Sequence, residues 1–175
     1  MPRQLIDSER VFRGRVFDVE RDRLREASGM EMIREVVRHP GGARGLPLYE
    51  DGRVSLVRQY RHPARRELLE IPAGRIEAGE TPAECATREI ADEIGARAGR
   101  LEKLAEFYST PGFCEEKLFI FLATDLAPAP QHLDADEVLE VVHLPLAEAV
   151  RLAAAGEIED AKTIIALLLA ARQMG

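Results

Sequence analysis

No stretch of this 175-residue chain is long and apolar enough to span a bilayer, and its opening MPRQLIDSERVFRGRV lacks the apolar core of a secretory leader. Both absences favour a cytoplasmic protein. Cysteine is scarce, with only Cys85 and Cys114; the pair suits a reducing compartment, makes no metal-binding spacing and marks no catalytic thiol. His39, His62, His132 and His143 are scattered without the spacing of a zinc site or a triad. Positive charge is also short. With 24 Lys and Arg against 31 Asp and Glu, the net charge is -7, which argues against a groove for duplex nucleic acid, where phosphates must be neutralised by basic side chains. A free nucleotide remains compatible, since metal ions and one or two arginines can carry its few phosphates. No internal repeat is present, and the only biased tract is the short LAPAP segment. With 46% hydrophobic residues, the chain can bury one good core at single-domain scale.

What is present is concentrated between Gly74 and Ala96. That stretch reads G-x5-E-x7-R-E-U-x-D-E-x-G-U, with U apolar, on Gly74, Glu80, Arg88, Glu89, Ile90, Asp92, Glu93, Gly95 and Ala96. Thr81 as N-cap, Pro82 at the first helical position and Glu84 closing a capping box predict a helix from Pro82. Gly95 predicts its end after Ile94. Ala83, Ala86, Ile90 and Ile94 then form a core-facing stripe. Glu89 and Glu93 lie one turn apart on another face, with Asp92 at its flank. Like charges at this spacing repel. A solvated acidic face is the plain explanation of a charge run; a bound cation explains better why a glycine-bracketed loop, Glu80 and Arg88 accompany the acids. Arg88 is placed to pair with Asp92 or to reach Glu80. Oxygen ligands of this kind favour Mg²⁺ or Mn²⁺ over zinc.

Elsewhere, Val11 to Leu24 and Glu31 to Arg38 read as a strand pair around a Ser28-Gly29 turn. LPLY, the Asp51-Gly52 turn and RVSLVRQY carry a hairpin signal, with Val54 and Leu56 on one face. LEKLAEFYST, KLFIFLATDL and EVLEVVHLPL read as further strands. LAEAVRLAAAG and EDAKTIIALLLAARQM read as helices, the first stopping at Gly156. Strands, one functional helix, more strands and terminal helices imply an α+β architecture.

The Gly74 to Ala96 pattern resembles the signature of the Nudix hydrolases, with Asp92 where the family usually has Glu. RGRVFDV, VRQYRHP followed by LEIPAG, and Ser109-Thr110-Pro111-Gly112-Phe113 are similar to the ADP-ribose pyrophosphatases of that family, Pro111 being the subfamily's mark. The resemblance implies an α/β/α sandwich with mixed sheets at 41–175, preceded by an N-terminal strand region at 1–40 that serves dimerisation and substrate. It implies hydrolysis of ADP-ribose to AMP and ribose 5-phosphate, with GDP-mannose or a flavin dinucleotide as alternative substrates. A non-hydrolysing ADP-ribose sensor is the alternative of another class, and such a protein should have lost the acids kept here as Glu89 and Glu93. By the same resemblance, the Ala73 carbonyl, Glu89 and Glu93 hold Mg²⁺ or Mn²⁺. Asp92, one methylene shorter than Glu, joins them directly or through water. Arg88 orients the acids and Arg61 grips the diphosphate. Phe17 and Glu35 hold adenine, and Glu116 supports the assembly. The general base falls on Glu137, with Asp134 and Asp136 as alternatives, and the protein is expected to be a homodimer.

Overall fold

The computed structural model describes residues 3–133, 135 and 137–174. These gather into two compact units, Met1–Gly41 with Phe107–Leu118, and Gly42–Glu106 with Phe119–Gly175.

In the first unit, the expected single strand from Val11 to Leu24 is divided. The Gly14 amide donates to the Phe17 carbonyl at 3.1 Å and to Asp18 Oδ1 at 3.2 Å, closing a turn between β1 (Gln4–Arg13) and β2 (Asp18–Arg25). The alternation on either side is real, but a glycine with a following acid acceptor makes a hairpin there. β3 (Glu31–Arg38) follows, and the three strands form an antiparallel sheet in the order β1-β2-β3. Val37 bridges to Cys114, and Arg38 forks to Glu20, Asp22 and Glu115, so the Pro-Gly loop is tied to the end of β3.

The second unit holds most of the core. β4 (Gly42–Pro47), β7 (Ala73–Arg75), β8 (Ala96–Tyr108) and β9 (Lys117–Pro128) form one sheet in the order β7-β4-β9-β8. β5 (Arg53–Arg61), β6 (Arg66–Glu70) and β10 (Leu139–Pro145) form another, β10-β5-β6. The hairpin expected across Asp51-Gly52 therefore shrinks to a turn with one bridge, Leu48 to Val54, because its two arms leave for different sheets. Val54, Ser55, Leu56 and Val57 are all buried. Both faces of β5 are covered, so strict alternation gives way to a continuous buried run.

Helix α1 spans Pro82–Ile94 with the expected capping box, and Gly95 closes it at φ 64°. Its inward face differs by part of a turn from the expected stripe. Ala86 and Ile90 are buried as expected, but Cys85 and Glu93 are buried with them while Ala83 is exposed and Ile94 half-buried. Ile90 packs with Ala96 and Ala123, and Ala86 with Ala43, Cys85 and Phe121. Helices α2 (Leu146–Ala154) and α3 (Ala161–Met174) end the chain, with Gly156 at φ 75° separating them. No helix among the described residues is long and apolar enough to cross a membrane.

Candidate active site

The acidic face of α1 lies against the β4 and β7 end of the second unit. The Ala73 amide donates to Glu93 Oε2 at 3.3 Å, which sets the backbone of β7 beside that carboxylate. Close approach depends on Gly74: a Cβ there would collide with the Glu89 carboxylate. Gly45 has the same relation to Ile90, so α1 sits lower on the sheet than side chains would allow.

Arg88 settles the open pairing. Its Nε and Nη2 donate to the two oxygens of Glu80 at 2.9 and 3.0 Å, and its Nη1 donates to Glu89 Oε1 at 2.5 Å. A guanidinium fork satisfies a carboxylate bidentately, and Glu80 reaches this position because its loop turns at Gly79, where φ is 87°. The Arg88 contact holds the Glu80 carboxyl down at about 2. Glu80 fixes Arg88, and Arg88 fixes Glu89.

Glu89 and Glu93 behave oppositely to Glu80. Burial raises Glu89 above the usual carboxylate range, with Asp92 and Glu137 adding repulsion. Glu93 is 2% exposed and is pushed up to about 8, first by burial and then by the charges of Glu89 and Glu137. Two desolvated carboxylates, one of them raised further by the charge of the other, are costly when both are charged, and a divalent cation would relieve that cost. A hard cation fits this donor set, which is made only of oxygens. Among the described residues, no group of three or more His, Cys, Asp or Glu already stands at ion-holding distances, since Glu89 turns to Arg88 and Glu93 to the Ala73 amide. Asp92 is half-buried, and its backbone carbonyl accepts from the His132 amide at 3.1 Å.

Glu137 is exposed, and its charge bears on both Glu89 and Glu93. Asp134 and Asp136, the alternative bases, lie outside the described residues. Arg61 donates through Nε and Nη2 to the two oxygens of Glu70 at 2.6 and 2.8 Å. Glu70 is 2% exposed while the Arg61 side chain is 40% exposed, so a half-buried guanidinium forks onto a buried acid. Sequence reasoning missed Glu70, although a lone acid inside the apolar run Leu68 to Ala73 was a usable signal. Gln131, which donates to the Glu93 carbonyl at 2.7 Å, gave no such signal. Cys85 is buried with its thiol pushed up to about 11 by desolvation, which removes it as a nucleophile.

In the first unit, Phe17 stands 5.9 Å from Phe12, ring to ring, and is 41% exposed. Glu35 is exposed and lines a cavity of about 410 Å³ together with Pro111 and Phe113. Glu116 Oε1 is 3.7 Å from His39 Nδ1.

Comparison with known proteins bears on the fold and the family. The NUDIX domain matches residues 39–167. The chain is 38% identical to an ADP-ribose pyrophosphatase of Bacillus subtilis, over 93% of this chain and 89% of that one. It is 36% identical to a GDP-mannose pyrophosphatase of Yersinia pestis, over 86% of this chain and 79% of that one. Among solved structures, "Crystal structure of ADP compounds hydrolase" superimposes with a TM-score of 0.86 at 27% identity, covering 99% of this chain and 95% of that one. The α+β architecture, the capped acidic helix and these matches lead to one assignment: the chain belongs to the Nudix family of hydrolases.

Proposed function

We propose that this protein hydrolyses the pyrophosphate bond of ADP-ribose, giving AMP and ribose 5-phosphate, with Mg²⁺ or Mn²⁺ bound by Glu89, Glu93 and the Ala73 carbonyl. The observation that carries the reading is the placement of half-buried Glu89 and buried Glu93 one helical turn apart against β7, both with raised proton affinity. Acids so placed are explained by a cation that neutralises them. The similarity to an ADP-ribose pyrophosphatase along nearly the whole chain supports the substrate.

When bound, a divalent cation neutralises phosphate oxygens and acidifies water in its shell. The chain's own residues supply the rest. Glu80 holds Arg88, and Arg88 holds the Glu89 carboxylate on the acidic face of α1 through one oxygen, leaving the other for an ion. Glu137 accepts the proton of the attacking water as general base. Glu70 fixes the Arg61 guanidinium, which steadies the diphosphate. Asp92 supports the ion through water rather than directly, consistent with its shorter side chain. Phe17 and Glu35 hold the adenine, and Glu116 orders the Pro-Gly loop. Exposed Val11, Phe12, Val16, Phe17 and Ile33 in the first unit give a second copy of the chain an apolar face to cover, in line with a homodimer.

The likeness to a GDP-mannose pyrophosphatase keeps nucleotide sugars as the second reading. A panel of ADP-ribose, GDP-mannose and a flavin dinucleotide, with Mg²⁺ and with Mn²⁺, separates them. Preferential release of AMP from ADP-ribose is expected; faster GMP release from GDP-mannose would replace the proposed substrate.

A further inference from the structure

Ile71 and Pro72 join β6 to β7, which begins at Ala73, and each of these three residues is held by a different part of the second unit. The Pro72 carbonyl accepts from the Gly45 amide at 3.1 Å, and the Ala73 amide donates to Glu93. The Ile71 amide has a less expected partner. It donates to Thr163 Oγ1 at 2.9 Å, across 92 positions of sequence and with both groups buried.

Thr163 stands in the first turn of α3. Its own hydroxyl donates to Asp160 Oδ2 at 2.7 Å, while its amide donates to the same oxygen at 2.9 Å. Asp160 thus caps α3. The cap also orients a hydroxyl that is fully enclosed and has both its donor and its acceptor functions used. Asp160 is 6% exposed, and Lys162 is paired with its other oxygen. Capping a helix needs only the Asp160 carboxylate. The acceptance of the Ile71 amide by the Thr163 hydroxyl is a separate tie, directed at the segment that ends in Ala73.

We infer that Thr163, oriented by Asp160, is a positioning residue for the divalent cation, setting the Ile71 to Ala73 backbone at the depth where Ala73 and Glu93 can share an ion. The inference rests on the metal-binding reading proposed above. Removing the hydroxyl leaves a buried amide without an acceptor, and such a group is relieved by backbone movement. Ile71 lies only two residues before Ala73, so a shift of its amide is passed along the chain to Ala73 and to the contact that Ala73 makes with Glu93. A conservative change of one hydroxyl on α3 therefore weakens the cation site without touching any ligand.

The test is Mn²⁺ binding to the substrate-free protein, read by calorimetry or by electron paramagnetic resonance. Wild type, Thr163→Val, Thr163→Ser and Glu93→Gln are compared, with thermal unfolding recorded for each. Thr163→Val is expected to bind Mn²⁺ about tenfold or more weakly, and Thr163→Ser, which keeps the hydroxyl, to bind within about twofold of wild type. Should Thr163→Val fail to fold, Thr163→Ala removes the same hydroxyl without placing a methyl group against Asp160. Unchanged affinity in the folded hydroxyl-less variant, with a lowered melting temperature, would reduce Thr163 to helix capping and overturn the inference while Glu93→Gln still loses Mn²⁺. Equal Mn²⁺ binding by wild type and Glu93→Gln would instead remove the cation site, and the inference with it.

Discussion

At the scale of single residues, the site is a contrast between two kinds of carboxylate. Glu80 is paired with a guanidinium and stays charged far into acid; Glu93 is buried and resists ionisation. Each makes its own prediction. The folded-state value for Glu80 lies below its ordinary 4.5, so its contribution to stability is fully present above that pH and is lost as pH falls toward 2. Thermal unfolding of Glu80→Gln should therefore differ from wild type at pH 6, and the difference should shrink as pH falls from 4.5 toward 2; a difference that stays constant across that range would contradict the Arg88 fork. For Glu93→Gln the expectation is a loss of turnover by orders of magnitude, because an amide is a poor ligand for a hard cation. The metal-free variant should melt no lower than wild type, since a desolvated acid has been removed. Glu137→Gln should lower turnover with substrate affinity retained, and an unaffected rate would move the base elsewhere.

The next scale up is the element, where α1 is the part of the chain with the most local instruction. Thr81, Pro82, Glu84 and Gly95 mark its ends, and the helix runs Pro82–Ile94 as those residues dictate. Glu89 and Glu93 were legible for the same reason: helical periodicity alone puts them on one face. The inward face was less legible. Cys85 and Glu93 are buried because β4 and β7 approach through Gly45 and Gly74, and an approach between distant segments leaves no periodic trace. The partner of Arg88 and the tie between Thr163 and Ile71 are likewise long-range choices. So is the clamp on the far end of α1, where the Ala129 amide, the Gln131 side chain and the His132 amide donate to the carbonyls of Gly95, Glu93 and Asp92. Gly74→Ala tests the seating of α1. Its added methyl displaces Glu89, and turnover should fall at least tenfold with the melting temperature little changed; activity near wild type would mean that the acid face is not pressed on β7.

Considered whole, the chain devotes its second unit to the acids and the core, and its first to an arginine-rich antiparallel sheet with exposed apolar side chains. The division of β1 from β2 at Gly14, and the departure of β4 and β5 into separate sheets, were not written in alternation, because pairing is decided by what covers each face. Light scattering should give twice the chain mass, and Phe12→Asp should shift it toward the monomer; a monodisperse monomer for the wild type would leave that apolar face to another occupant. If the acids of α1 serve pyrophosphate cleavage through a divalent cation, AMP release from ADP-ribose by wild type and Glu93→Gln, followed with Mg²⁺ and again with excess chelator, reports it. AMP is expected only from the wild type with Mg²⁺ present; equal AMP release under chelation, or from the variant, would separate the acids of α1 from the chemistry.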